Sequence, residues 1–214
     1  MSSILTNMQR VVILAPHTDD GEFGCGGTIA KLIEAKKEVY YVAFSACKQS
    51  VLPQFAEDIL ITEVQSATQN LGIPRQNLIL HDFPVRTFNF NRQDILQILI
   101  NLKKDLNPDA VFMPALNDLH QDHQTVATEG LRAFKFSSIF CYEIPWNNIS
   151  FNTSCFIHLE QHHLELKVKA LQSYKSQAHR NYASEDFIRS LARTRGVQAG
   201  GQFAETFEVI RLIG

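Results

Sequence analysis

Two short polar runs hold most of the residues able to do chemistry: His17-Thr18-Asp19-Asp20, and Asn117-Asp118-Leu119-His120-Gln121-Asp122-His123. A catalytic zinc site commonly takes three nitrogen or oxygen ligands and leaves a fourth position for water. His17, Asp20 and His123 supply such a set, two imidazoles and a carboxylate. A bound Zn²⁺ lowers the water pKa to ~7 and polarises a carbonyl oxygen. Asp19 and Asp20 are adjacent, so their side chains point different ways; Asp20 can ligate while Asp19 faces the water as general base. A dication between them offsets their mutual repulsion. His120 can stabilise an oxyanion or protonate a leaving amine, and Asp122 can orient an imidazole. The plainer alternative is that Asp19 and Asp20 cap a helix beginning near Thr28 or fill a turn. A histidine pair spaced like His120 and His123 is also common on helix surfaces.

The elements around the runs decide whether they can meet. Val11–Ala15 is a short β-branched apolar run, the pattern of a strand buried on both faces. Val39–Phe44, Leu78–Leu80 and Ala110–Met113 read the same way. Between them lie helical patterns over Thr28–Lys36, Ile59–Leu71 and Asp94–Leu106, the second ended by Gly72 and Pro74. Alternating strands and helices imply right-handed βαβ units: a Rossmann-like α/β fold of three layers, with a mostly parallel sheet. Later pieces are less regular: strands near Ser138–Tyr142 and Cys155–Ile157, a helix over Leu159–Tyr174, and a closing strand over Phe203–Leu212. No linker rich in Gly, Pro or Ser appears, so residues 1–214 are read as one domain. Ligands of such sheets bind at the carboxyl ends of the strands. Both polar runs follow strands, the first and the fourth, so the topology allows them to converge.

Composition narrows the classes. Hydrophobic residues make up 45% of 214 and charged residues 20%, enough apolar material for a full core. A net charge of -2 leaves no electrostatic footprint for nucleic acid. The amino-terminal residues Met1–Arg10 lack the basic start and apolar stretch of a signal peptide, and no stretch is long and apolar enough to span a bilayer. Cys25, Cys47, Cys141 and Cys155 form no CxxC pair, which argues against a disulfide framework and a thiolate metal site. A cytoplasmic location is the expectation.

The stretch from Pro16 to Ile29, PHTDDGEFGCGGTI, closely resembles the signature of the LmbE-like (PIG-L) de-N-acetylase family. His120-Gln121-Asp122-His123 resembles that family's second motif, and Lys167 through Tyr174-Lys175-Ser176-Gln177 and Ala204-Glu205-Thr206-Phe207 resemble its later ones. Pro16 and Thr18 depart from the usual Ala and Pro. The resemblance implies a zinc-dependent hydrolase removing an N-acetyl or other N-acyl group from an amino sugar or its conjugate. It implies His17, Asp20 and His123 as metal ligands, Asp19 as base and His120 as electrostatic or acid partner. The metal could equally be Fe²⁺ or Co²⁺, since mixed imidazole and carboxylate sites accept them. Members of the family often form homo-oligomers, which the resemblance extends to this chain as an expectation.

Weaker signals are set against blander readings. Arg86 and Asp122 are candidate substrate-binding residues; His81-Asp82 and Arg86, after the third strand, could contact sugar hydroxyls or an anionic group, against a slightly favoured reading as loop hydrogen bonding and surface charge. Arg189–Gly201, with Arg193 and Arg195, could be a mobile loop whose arginines bind phosphate, or a solvated basic face. Tyr142 and Trp146 could stack on a sugar ring or pack in the core, with the core preferred, and His162-His163 are assigned to the polar start of a helix. The glycines of the first motif are read as allowing close approach and positive φ. Two other functions compete. A nucleotide-binding oxidoreductase lacks support, because Gly21, Gly24, Gly26 and Gly27 do not give G-x-G-x-x-G and Phe44-Ser45-Ala46-Cys47 offers no carboxylate for a ribose. A non-catalytic carbohydrate-binding protein is disfavoured because Asp19, Asp20 and all three histidines of the two runs are present.

Overall fold

The structure, a computed structural model, describes residues 4–214, so the first three residues of the amino-terminal segment read above lie outside it. Thirteen main elements follow in chain order. They are β1 (Arg10–His17), α1 (Asp20–Glu34), β2 (Glu38–Ser45), α2 (Ile59–Asn70), β3 (Leu78–Leu80), α3 (Arg92–Leu106) and β4 (Ala110–Pro114). Then come α4 (Gln121–Ala133), β5 (Ser138–Tyr142), β6 (Cys155–Leu159), α5 (Gln161–Leu171), α6 (Glu185–Gln198) and β7 (Phe203–Arg211). One seven-stranded sheet has the order β3-β2-β1-β4-β5-β7-β6. The first five strands are parallel, and β7 runs antiparallel to both β5 and β6.

Alternation along the buried strands explains the three layers. Val11, Ile13 and Ala15 of β1 join Tyr41, Phe112 and residues of α1, α2, α5 and α6 in one core. Val12 and Leu14 point oppositely and join Val42, Met113 and residues of α3 and α4 in a second. A strand buried on both faces has no use for alternating polarity, hence the continuous apolar runs. The chain leaves β1 for α1 on one face and leaves β4 for α4 on the other. The carboxyl ends of β1 and β4 therefore border a point where the connections diverge, which is where open α/β sheets bind ligands.

Three sequence expectations need correction. The first helix begins at Asp20 rather than Thr28, with a break at Cys25, whose φ is -149°. Its first turns are glycine-rich, so propensity hid them. The glycines of this helix serve close approach only: positive φ among described glycines occurs at Gly72 and Gly200. A Cβ at Gly21 would stand 2.5 Å from the Tyr41 ring, and one at Gly24 2.3 Å from the Tyr142 ring. Arg189–Gly201 is mainly helix α6, not a loop; Ser184 caps it by accepting from Phe187 N. Helix α4, unread in the sequence, carries the second polar run into the site.

The break in α1 is fully compensated. Around it, Glu205 Oε1 and Oε2 accept the N–H groups of Gly27 and Thr28 at 3.0 and 2.7 Å. Lys167 Nζ donates to Phe23 O at 2.7 Å and pairs with Glu205 at 2.6 Å. Two buried, opposite charges thus replace the helical bonds lost at the kink.

Candidate active site

His17 ends β1, and Asp20 opens α1, so a two-residue turn brings both to one point. Asp20 Oδ2 accepts from the backbone N–H of His17 at 2.8 Å, which folds its carboxylate back beneath the imidazole. His123 arrives from the first turn of α4. The three donor atoms form a compact triangle. His17 Nδ1 and His123 Nε2 are 3.2 Å apart, and each lies 3.2 or 3.1 Å from Asp20 Oδ2.

The outer nitrogens of both imidazoles are held by carboxylates. His17 Nε2 meets Asp122 Oδ2 at 3.0 Å, and His123 Nδ1 meets Asp118 Oδ2 at 2.7 Å. In the neutral form that a metal ligand must take, each imidazole donates from its outer nitrogen to its carboxylate and carries its lone pair on the inner nitrogen. Two nitrogen lone pairs and a carboxylate oxygen then face one another at van der Waals range. Such an arrangement of acceptors, without a proton for each contact, fits a cation between them. Among the described residues, His17, His120 and His123 form another group whose atoms lie within 4.8 Å of one another. The triangle with Asp20 is tighter and includes a carboxylate, which makes it the stronger candidate ligand set.

His120 is the N-cap of α4: its Nδ1 accepts from Asp122 N at 3.2 Å, and its own N–H donates to Asp118 Oδ1 at 2.8 Å. Its ring stacks on His123 with centroids 4.8 Å apart. Burial, then the neighbouring His17 and His123, lower its pKa to about 4. Burial and the charge of Asp20 raise Asp19 to about 6. Burial opposes ionisation of Asp20, but His123 and His17 hold it well below the usual carboxylate range. Burial likewise disfavours a charged His123, yet Asp20 and Asp118 raise its pKa to about 10. The same two negative charges would favour a metal ion.

Asp122, expected among the substrate-binding residues, is fully buried. Besides His17, it accepts from the backbone N–H groups of Arg86 and Phe88 at 2.6 and 3.2 Å. It faces protein on every side and touches the cleft only through His17. Arg86, also expected there, presents its backbone to Asp122 from a left-handed turn with φ 69°, while its side chain is exposed away from the cleft walls. Asp82 pairs with Lys48, and His81 stacks on Phe44, neither in the cleft. Tyr142 is core, as expected, but Trp146 is not: it is 38% exposed and lines the cleft.

Several contributors escaped the sequence reading. Asp118 lies inside the second run, and its spacing of five from His123 fits no familiar ligand pattern. Glu22, also unassigned, is fully buried beneath the His17–Asp20 turn, against the hydroxyls of Tyr41 and Tyr174. Those hydroxyls reach Thr18 O at 2.8 and 2.6 Å and so pin the turn from below. Burial above all raises Glu22 to about 8. The cleft above has a volume of about 280 Å³, and its far wall includes Phe23, Trp146, Gln177, Arg180 and Tyr182.

Comparison with known proteins bears on this geometry. The family model described as PIG-L, GlcNAc-PI de-N-acetylase, matches residues 12–134, more than half the chain, from within β1 to just past the end of α4. The chain belongs to the PIG-L family. A relative, the uncharacterized deacetylase YaiS of Escherichia coli (strain K12), is 25% identical over 185 residues, covering 82% of this chain and 97% of that protein. The fold also matches the N,N'-diacetylchitobiose deacetylase of Pyrococcus horikoshii, with a TM-score of 0.80, 22% identity, and coverage of 96% and 85% of the two chains. It matches GalB, the 4-carboxy-2-hydroxymuconate hydratase of Pseudomonas putida KT2440, with a TM-score of 0.76, 17% identity, and coverage of 97% and 98%. The fold therefore houses more than one reaction of water, and the site has to carry the functional argument. Among the described residues, no helix is long and apolar enough to cross a membrane.

Proposed function

We propose that the protein is a metal-dependent hydrolase that removes an N-acetyl group from an amino sugar or its conjugate. The observation that carries it is the triangle of His17 Nδ1, Asp20 Oδ2 and His123 Nε2, with a carboxylate behind each imidazole. These three residues would hold the cation, zinc by the chemistry of the set, with Fe²⁺ or Co²⁺ also suited. When bound, it supplies an acidified water and polarises an amide carbonyl.

The protein groups divide the remaining work. Asp19 lines the cleft beside Asp20 but has no place in the ligand triangle, so its carboxylate is available to take a proton from the attacking water. A base with a pKa near 6 is ionised at neutral pH yet still basic enough to accept that proton. His120 is neutral, with Nδ1 occupied by a backbone N–H, so the proton sits on Nε2. This favours hydrogen-bond donation to the developing oxyanion over the alternative of protonating the amine. Asp19, once protonated, can return its proton to the leaving nitrogen. Asp118 and Asp122 keep the ligand rings turned inward. A cleft of about 280 Å³ suits one sugar ring with its acyl group.

Family membership and the names of the relatives support the acyl-amide substrate over the hydration seen in the GalB fold. The test is a panel of N-acetylated sugars and sugar conjugates assayed for free amine with zinc present. Amine release from at least one, abolished in Asp19→Ala, is expected; no release from any would overturn the reading and favour a binding protein.

A further inference from the structure

The sequence pointed to Arg193 and Arg195 as anion-binding candidates, but the structure commits both elsewhere. Arg195 makes a two-pronged bond to Glu143 at 2.8 and 2.6 Å, and Arg193 donates to Gln202 O at 3.0 Å. Neither lines the cleft. Arg180 does, and it is the one lysine or arginine among the described residues that line it.

The surroundings of Arg180 are built rather than loose. Its segment is anchored by Tyr174, whose hydroxyl reaches Thr18 O, and by Glu63. Glu63, buried on α2, accepts from Ser176 N at 2.9 Å and from Ser176 Oγ at 2.6 Å. Gln177 Oε1 then accepts from Arg180 Nε at 2.8 Å, fixing the plane of the guanidinium. The group lies 5.7 Å from the centre of the Tyr182 ring. Tyr182 is itself stacked on Trp146, with centroids 3.9 Å apart and planes 10° from parallel, and Phe23 meets both rings edge-on. This rigid aromatic wall presents apolar surface to a ring. No carboxylate stands at ion-pair distance from Arg180 among the described residues; the negative charge it acts on, that of Asp19, belongs to another residue lining the same cleft. A guanidinium held by a neutral amide in a half-enclosed cleft, and ion-paired with no carboxylate, is a seat for an anion.

We infer that the cleft takes an amino sugar carrying an anionic substituent, phosphate or carboxylate, with the sugar against the Trp146–Tyr182 wall and the anion on Arg180. The acyl-amide end of that substrate rests on the deacetylase reading; the anion seat does not, and it can be tested without turnover.

The experiment measures binding of two deacetylated sugars to the zinc-loaded protein by calorimetry: glucosamine 1-phosphate and methyl glucosaminide. Wild type should prefer the phosphate by about ten- to a hundredfold, the range of a charge-assisted hydrogen-bond pair. Arg180→Ala should erase most of that preference, and Arg180→Lys should keep part of it, since a point charge remains without the planar fork. Equal binding by wild type, or an undiminished preference in Arg180→Ala, would overturn the inference; the latter would place the phosphate on the metal. In a second arm, the kcat/KM ratio for the N-acetylated forms of the same pair should fall in Arg180→Ala by a similar factor. Should neither N-acetyl sugar be turned over while the binding preference holds, the deacetylase reading fails and the anion seat stands. If Arg180→Ala instead relieved inhibition by acetate and left the phosphate ratio intact, Arg180 would serve the released acid, against the inference.

Discussion

Within the site, position sorts chemically equal residues into different roles. Asp19 and Asp20 are neighbours in sequence, yet only Asp20 joins the triangle with His17 and His123. Asp19→Ala should keep its metal and lose turnover by on the order of 10² or more, as read by metal content and amine release. His123→Ala should lose the metal itself. Asp118→Asn should weaken zinc binding by about ten- to a hundredfold in a chelator competition, because the amide no longer fixes the His123 tautomer. The acid limb follows from Asp19. A base must be ionised, so kcat/KM should be full above its pKa and fall as pH drops through it. Burial and Asp20 raise that pKa to about 6, and a nearby cation acts oppositely, so the midpoint should lie at or below about 6. The proposed ligand set and proposed base could be named from the sequence because residue type and strand-end placement constrain them strongly. Asp118, Glu22 and Arg180 were not: their parts depend on which groups stand behind or across from them, and spacing along one chain does not encode that.

Among the elements, α1 shows why a glycine-rich, interrupted helix is what this site needs. Its first turns must lie close enough to the sheet for Asp20 to fold under His17, and side chains at Gly21 or Gly24 would collide with Tyr41 or Tyr142. Gly24→Ala should therefore destabilise the protein by about 1–3 kcal/mol in urea unfolding, the range for forced overpacking. The break at Cys25 makes the Lys167–Glu205 pair structural. Glu205→Ala would strand a buried ammonium and two backbone N–H groups, and a loss of about 3–5 kcal/mol is expected by the same measurement. Glu205→Gln, which still accepts from Gly27, should lose less. The parallel strands were readable as β-branched apolar runs, and helices with a clear apolar stripe were found within a few residues. The start of α1 was obscured by glycine, and α6 by its arginines and Gly196. The Ser184 cap followed by Glu185 and Asp186 was the signal that could have revealed α6.

Across the whole molecule, the chain divides its labour. The stretch matched by the family model contains His17, Asp19, Asp20, His120 and His123, while Trp146, Gln177, Arg180 and Tyr182 come from the part beyond it. On the proposed reading, reaction chemistry would sit where β1 and β4 diverge, and recognition would fall to segments beyond the matched stretch. Because the proposed ligands lie about a hundred residues apart in sequence, metal binding would join distant parts of the fold. Zinc should raise the melting temperature of chelator-treated protein, with about 2.7 kcal/mol of stabilisation expected at a hundredfold excess over Kd. The most direct test of the central claim is a zinc titration of chelator-treated protein, followed by amine release from an N-acetylated sugar that the panel shows to be a substrate. Activity should start near zero, rise linearly and level off at one equivalent, and Asp20→Ala should abolish the rise. Full activity before any zinc is added, or a rise unaffected by Asp20→Ala, would contradict the account.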